Sequence, residues 1–406
     1  MVYYPFVVAK LTRIEDGTVT TPTGFLAGAV EAGIKYQGRL DLGVLYSERP
    51  CTAVGVFTTN KIKSAPVLFD REQLKRGVAQ AIVVNSGCAN ACTGSVGMKN
   101  AMETALVAAG KLRVSSELVL VASTGVIGTQ LPMDRVKAGL DRLEVVQNGG
   151  HSLARAMMTT DTFPKEIAVA VDTEAGRFTV GGVAKGAGMI HPNMATLLCF
   201  VATDALVSRR LLGKALKRAV GQSFNMISVD GDTSPSDSVI VLANGMSGIE
   251  VDLETLPAFQ EGLGEVCLYL AKCIVRDGEG ATKLIEITVG GALNESQARR
   301  AARTISASPL VKAAVHGADP NWGRVIAALG RSGASLDESR IDMYLNGTCV
   351  MRQGQPQSFD KGVLSQSMRG KEVRIEVDLN LGTGKATAWG CDLSEDYVGI
   401  NADYTT

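Results

Sequence analysis

The 406-residue chain carries 41 Lys+Arg against 41 Asp+Glu, a balance that gives no electrostatic reason to expect nucleic acid or an anionic membrane as partner. With 46% hydrophobic residues it is too apolar and too weakly charged for a disordered chain, and no run approaches the ~18 apolar residues of a membrane-spanning helix. Glycine is abundant (45 residues) and aromatics are few, so the core is expected to be Val, Ala, Leu and Ile with many tight turns.

The first residues, MVYYPFVVAK, have no positive charge ahead of the apolar stretch and no small-residue cleavage site, so they do not read as a signal peptide. The eight cysteines are scattered, mostly inside apolar runs, which fits buried reduced thiols in a cytoplasmic protein. Further along, residues 81–84 form a short apolar run ending at Asn85-Ser86-Gly87, and residues 96–112 have helical spacing. A second buried-strand run, 118–122, is closed by Ser123-Thr124-Gly125. Pro132 then suits the first turn of a helix reaching about residue 146. Residues 167–171 and 178–183 read as a hairpin, and 195–203 as a fully buried strand. Helices are expected at 208–222 and 256–276, with a strand at 239–243 between them. Beyond Lys283 the texture changes. A strand (284–289), a basic helix (295–305) and a second helix near Val311 precede the loop HGADPNWGR, and strand-like pieces follow at 341–345, 372–378 and 385–389. A soft boundary near residue 281 divides the chain into 1–281 and 282–406. Helices mixed with buried strands on both sides predict an α/β layered sandwich.

Elimination narrows the chemistry. Three histidines (His151, His191, His316) give no zinc site of paired ligands, and VDGDTSPSD (229–237) is not an EF-hand loop. That run is the best hydrophilic cluster for a cation, but Asp230, Asp232 and Thr233 read more simply as a capping and turn network, so no metal is expected. The serine-hydrolase elbow and the phosphate loop are both absent. In HGADPNWGR, Asn321 reads as a helix cap and the loop as structural, with His316 not a catalytic base.

The informative segment is VAKGAGMIHPNMATLLCFVATDA (183–205). A polar, glycine-rich approach runs into an apolar strand whose first hydroxyl is Thr196, preceded by the small Ala195. In a self-cleaving chain the Thr196 hydroxyl attacks the Ala195 carbonyl, and water opens the resulting ester. The new N-terminal threonine has an α-amine of pKa roughly 7.7–8.0 that can act as base for its own hydroxyl. Taken alone, an Ala-Thr after a glycine loop is more often just the entry of a loop into a core strand.

This segment resembles the cleavage-site signature of the ornithine acetyltransferase family, the glutamate N-acetyltransferases of arginine biosynthesis. GFLAGAVEAGIK, FTTNKIKSAPV, VVNSGCANACTG, VASTGVIG, MMTTDTFPK, FNMISVDGDTSPSDS, VRDGEGATK, HGADPNWGR and YVGINADYTT resemble the family's blocks in the same order along the chain. One departure is His191, where a small apolar residue is expected; it reads as a tolerated loop substitution.

The resemblance implies cleavage between Ala195 and Thr196 into an α chain (1–195) and a β chain (196–406) that stay together and pair as α2β2. It implies a four-layer α/β/β/α sandwich (1–281) with a smaller C-terminal α/β domain (282–406) whose tail returns to the site. Thr196 would be the nucleophile of a ping-pong transfer of acetyl from N2-acetyl-ornithine to glutamate, without a cofactor. Thr124 and Gly125 would stabilise the oxyanion, and Thr162, Lys185, Thr196, Glu279, Asn401 and Thr406 would bind substrate. Lys185 suits a carboxylate and Glu279 an ammonium group. Some relatives also accept acetyl-CoA as donor, and nothing in these motifs decides that point here. Two rivals share some of these features. A self-cleaving aminopeptidase or amidase of the related fold would pass the acyl group to water, and a non-catalytic binding protein would stay uncut.

Overall fold

The structure, a computed structural model, describes residues 10–191 and 197–403. Its main sheet has nine strands, and its key member is the long strand Leu42–Phe57. On one edge, residues 42–47 pair with Phe25–Val30 and residues 52–57 pair with Ser238–Ala243. On the other edge the first part pairs with Val78–Asn85, which in turn pairs in parallel with Val119–Ser123. The register slips between Tyr46 and Cys51, where Glu48, Arg49 and Pro50 are exposed. A proline there is compatible with a strand because the ladder is already interrupted. From Ser238–Ala243 the sheet continues through Leu198–Thr203, the hairpin Gly176–Lys185 and Lys165–Thr173, and finally Lys10–Ile14.

Alternation along these strands shows that the sheet folds over on itself. Leu198, Phe200, Ala202, Ile240 and Leu242 share one core with Leu45, Ile82, Val84, Leu120 and Ala122. The intervening Cys199, Val201, Val239 and Val241 instead face the helices Arg209–Gln222 and Leu256–Arg276. On the far side, Val44, Ala81, Val83, Val119 and Val121 pack on Gly94–Leu112 and Met133–Arg142. The order is therefore helix, sheet, sheet, helix, the four-layer α/β sandwich expected. Leu198–Thr203 is buried on both faces, as its continuous apolar sequence requires.

A second sheet of seven strands is centred on Leu284–Ala292, flanked by Gly384–Cys391 and Glu372–Asp378. Helix Glu295–Ser306 covers it, burying Ala298, Ala301, Ala302 and Ile305 on one stripe. The two-residue strand Ile227–Ser228 pairs with Trp389–Gly390 and ties this sheet to the sandwich. The sequence reading missed the long strand, the helix Gly150–Met157 and the terminal helix Glu395–Asp403. It also ran the helix after Pro132 too far. That helix stops at Arg142, and Leu143 is extended.

Candidate active site

Strand ends from both sheets of the sandwich converge on a cavity of about 90 Å³, walled by Thr124, Gly125, Lys185, Asp237, Glu279 and Asn401 among others. Thr124 and Gly125 follow the strand Val119–Ser123. Their turn is fixed against the turn after Val78–Asn85: Thr124 N–H donates to the Asn85 carbonyl (3.0 Å), and Ser123 donates to the Asn85 side chain (2.6 Å). Gly125 adopts φ +127°, and a Cβ there would lie 2.3 Å from the Gly87 carbonyl carbon, so no other residue fits. The close approach of these two turns requires glycine at 125, while Gly87 needs it for its φ of +93° and because a Cβ there would meet Lys35 at 2.7 Å.

Lys185 ends the strand Gly176–Lys185, opposite Leu198, and is 8% exposed. Its ammonium donates to the hydroxyl oxygens of Thr124 (3.2 Å) and Thr159 (2.9 Å) and lies 4.0 Å from Asp161. A hydroxyl that accepts from a lysine keeps its own proton free to donate, here into the cavity. Burial pulls the Lys185 ammonium below the ordinary lysine range, against the opposing pull of Asp161.

Behind Lys185 is a buried charge network. Lys165 bridges Asp161 (2.6 Å) and Asp277 (2.5 Å), all three side chains being essentially inaccessible. Asp161 also accepts from the Gly186 N–H (2.7 Å) and the Thr159 N–H (3.0 Å). Burial alone would raise its carboxyl, but Lys185 and Lys165 outweigh it and hold it well below the usual carboxylate range. Asp277 accepts from the Thr162 N–H (3.0 Å) and from its hydroxyl. Thr162 thus belongs to the support of the site and is not on the cavity wall.

Glu279 follows two residues after Asp277. Its N–H donates to the Ala187 carbonyl (2.9 Å), and its carboxylate lies across Gly188, where a Cβ would meet it at 2.4 Å. The terminal helix brings Asn401 back to it, the Asn401 amide donating to the Glu279 carboxylate at 2.8 Å. The run 229–237 is spent on the same loop. Asp230 accepts from the N–H groups of Met189 (2.5 Å) and Ile190 (2.8 Å), and the Thr233 hydroxyl donates to the His191 carbonyl (2.9 Å). His191 contacts Ser228 through Nδ1 (3.0 Å). Among the described residues no cluster of three His, Cys, Asp or Glu is arranged to hold a metal.

Sequence reasoning missed Asp237, Thr159 and Asp161. Asp237 is 2% exposed, faces the cavity, and its Oδ2 has no hydrogen-bond partner. Burial pushes its carboxyl well above the ordinary range, against contacts from Ser234, Lys185 and Thr58. Ala195, Thr196 and Thr406 lie outside the described residues, while Leu197, next after Thr196 in sequence, lines the cavity. Elsewhere, Asn321 sits at the cap position of Trp322–Gly330 but does not cap it. Its side chain donates to Asp319 instead (3.1 Å). His316 is committed to Asp392 (2.8 Å).

The family model described as the ArgJ family matches residues 26–406. The chain belongs to the ArgJ family. An arginine biosynthesis bifunctional protein ArgJ from Dehalococcoides mccartyi is 54% identical over 403 residues, covering 98% of this chain and all of that protein. The protein of the same name from Symbiobacterium thermophilum is 52% identical over 397 residues, covering 96% and 99%. A solved ArgJ chain from Bacillus halodurans is 42% identical with a TM-score of 0.50, covering 50% of this chain and 98% of that one.

Proposed function

We propose that this ArgJ-family chain transfers acetyl from N2-acetyl-ornithine to glutamate in arginine biosynthesis, by way of an acetyl ester on Thr196 freed by self-cleavage after Ala195. The observation that carries the reading is the joint placement of Thr124, Gly125, Lys185, Glu279 and Asn401 around one cavity that Leu197 also lines. Residues from four separate parts of the sequence line this one cavity, which supports an acyl-transfer site.

In the forward half-reaction the Thr196 hydroxyl attacks the acetyl carbonyl, and the tetrahedral oxyanion draws hydrogen bonds from the Thr124–Gly125 turn. Thr124 is oriented for this by Lys185. Collapse releases ornithine, and the glutamate amine then attacks the ester in the same way, so one amide exchange becomes two similar steps. The buried Lys185 and Glu279 supply the opposite charges that α-amino-acid substrates need for orientation. Oxyanion donors of this kind typically contribute about 10²–10³ in rate each.

The half-length coverage of the Bacillus halodurans chain supports cleavage, since a cut after residue 195 of 406 yields pieces of that size. An α2β2 assembly and a cytoplasmic location complete the reading, the latter supported by eight cysteines that are all free. The test is a denaturing mass spectrum of wild type beside Thr196→Ala. Apportioning 42.6 kDa over 195 and the remaining residues of 406 gives pieces of about 20.5 and 22.1 kDa. Two such pieces in wild type and one full-length chain in the variant are expected, with acetyl transfer to glutamate only in wild type. An uncut, active wild type would refute the mechanism.

A further inference from the structure

The cavity wall holds one acid that the mechanism above leaves idle. Asp237 directly precedes the strand Ser238–Ala243, and the backbone around it is fixed on both sides. Thr58 N–H donates to the Asp237 carbonyl (3.0 Å), and Ser238 N–H to the Leu197 carbonyl (2.9 Å). The side chain is thereby held in place, 2% exposed and on the cavity wall. In and behind this wall, three buried oxygens have no hydrogen-bond partner among the described residues: Asp237 Oδ2, Ser236 Oγ and Ser64 Oγ. Ser236 also lines the cavity, and the Ser64 N–H is tied to the same loop through the Pro235 carbonyl (3.0 Å). Buried polar atoms are ordinarily paired, so orphans gathered beside a cavity mark a place for a polar guest.

The other charged groups nearby are already engaged. Among the described residues, Lys185 and Glu279 are the only charged side chains that share the cavity wall with Asp237. Lys185 attracts Asp237 but forms no ion pair with it, being held by Thr124, Thr159 and Asp161. Glu279 accepts from the Asn401 amide (2.8 Å), and Asp161, behind the wall, is kept ionised by two lysines. From the loops packed on Asp237, the Thr58 and Ser234 hydroxyls and the Leu197 backbone approach its carboxyl. Farther along those loops, Lys61 and Lys63 line a separate outer hollow, Asp230 is turned to Met189 and Ile190, and Asp232 is exposed. Burial outweighs the contacts on Asp237 and favours its protonated form.

Acetyl exchange between amino acids calls for such a group. Amino acids carry an ammonium at neutral pH, and only the neutral amine can attack an ester. When the amide of the donor breaks, its nitrogen carries one hydrogen and must gain two to leave as an ammonium. One comes from the threonine hydroxyl by way of the α-amine; the second has no source among the groups assigned so far. The acceptor runs this in reverse. Its ammonium gives up two protons, and only one of them returns to the threonine oxygen.

We propose that Asp237 is a further catalytic residue, which gives this second proton to the departing ornithine amine and takes it back from the entering glutamate ammonium. The proposal rests on the acetyl-transfer reading and adds the acid–base step that amine substrates require. In the donor half the amide C–N bond breaks and the ester C–O bond forms. The hydroxyl proton and the Asp237 proton both end on the ornithine nitrogen, leaving Asp237 a carboxylate beside an ammonium. In the acceptor half that carboxylate removes one proton from the glutamate ammonium. The freed amine attacks, the C–N bond forms, the ester C–O bond breaks, and the remaining proton returns to the threonine oxygen. Asp237 ends protonated, as it began, and no further reactant is consumed.

The experiment gives the processed enzyme N2-acetyl-ornithine as donor and compares two acceptors, glutamate and methoxyamine. Methoxyamine is uncharged at neutral pH, so it brings no proton that must first be removed. In a ping-pong reaction kcat/KM for the acceptor reports the second half alone, and effects on the donor half drop out. In Asp237→Asn, which keeps size and polarity, kcat/KM for glutamate at neutral pH is expected to fall by about 10²–10⁴, and that for methoxyamine by less than about threefold. The pH profiles separate a proton-transfer role from a structural one. In wild type, kcat/KM for glutamate should level off near neutral pH, well below the range where free glutamate loses its own proton. In Asp237→Asn it should keep climbing into that range, by about tenfold per pH unit, because only the small neutral fraction reacts. Self-cleavage of the variant is checked by mass, and if it stays uncut the wild-type profile decides. Equal loss on both acceptors, unchanged glutamate kinetics, or a wild-type glutamate profile that climbs without levelling overturns the proposal and leaves acetyl transfer standing. A processed wild type that passes acetyl from acetyl-ornithine to neither acceptor overturns the acetyl-transfer reading itself.

Discussion

Replacing Lys165 by methionine keeps the aliphatic stem but removes the ammonium that lies 2.6 Å from Asp161 and 2.5 Å from Asp277. With side-chain exposures of 0%, 0% and 2%, water cannot take its place. Removing one partner of a buried pair typically costs about 3–5 kcal/mol, because a charge is left uncompensated. Here Asp161 retains Lys185 at 4.0 Å, and Asp277 retains the N–H and hydroxyl of Thr162. The loss should therefore lie near the lower end, about 3 kcal/mol, read from urea unfolding at neutral pH with an unchanged slope. The pH dependence has a definite sign. A carboxyl held below its unfolded pKa of ~3.9 contributes stability that is present above that pH and lost as the pH falls. Asp161 with one lysine instead of two is held less firmly, so acid unfolding of Lys165→Met begins at higher pH than in wild type. Adding Asp277→Asn removes one stranded charge and keeps an acceptor for Thr162, so the double variant should be more stable than Lys165→Met alone. A single variant within about 1 kcal/mol of wild type, or a double variant no better than the single, would refute the reasoning.

Asp237→Asn is expected to lose activity yet gain stability at neutral pH. Its raised carboxyl loses stability for the fold as pH climbs above the unfolded value of ~4, and an amide escapes that penalty, so the gain in urea midpoint should vanish near pH 4. Gly125→Ala forces a Cβ into the Gly87 backbone at φ +127° and should lower kcat by about 10²–10³ with little change in KM, measured on protein shown to be folded by its unfolding slope. Glu279→Gln keeps the hydrogen bond to Asn401 but removes the charge, so KM for the ornithine-bearing donor should rise by about tenfold; unchanged KM values for both substrates would exclude an ammonium-binding role.

Much of the sandwich was readable because period and burial coincide. Leu256–Arg276 and Glu372–Asp378 match their expected limits, since neither contains an internal break. The long strand was hidden by Glu48–Pro50, where exposed charged residues and a proline interrupt the alternation without ending the strand. At the site, Thr124, Gly125, Lys185, Glu279 and Asn401 were found by family motif. The Lys165 network was not, although a lysine at the head of an alternating apolar strand is the trace it leaves in the sequence. Its partners Asp161 and Asp277 are 116 residues apart, and only the folded chain pairs them through one ammonium. Asp237 was not singled out because an acid just before an apolar strand is commonplace; its unpartnered oxygen is a property of packing.

The two-residue strand Ile227–Ser228 has a consequence for the order of events in biosynthesis. It docks on Trp389–Gly390, and the residues around it hold the segment just ahead of Ala195: Asp230 grips Met189 and Ile190, and Val229 donates to the Ile190 carbonyl (2.7 Å). A ribosome completes residue 195 long before residue 390, by about 10–40 s at ordinary elongation rates of ~5–20 residues per second. Throughout that interval the strand Gly384–Cys391, on which Ile227–Ser228 docks, does not yet exist. If the proposed self-cut depends on that segment's shape, it is deferred until the chain is nearly finished, and no severed first half leaves the ribosome before its other half has been made.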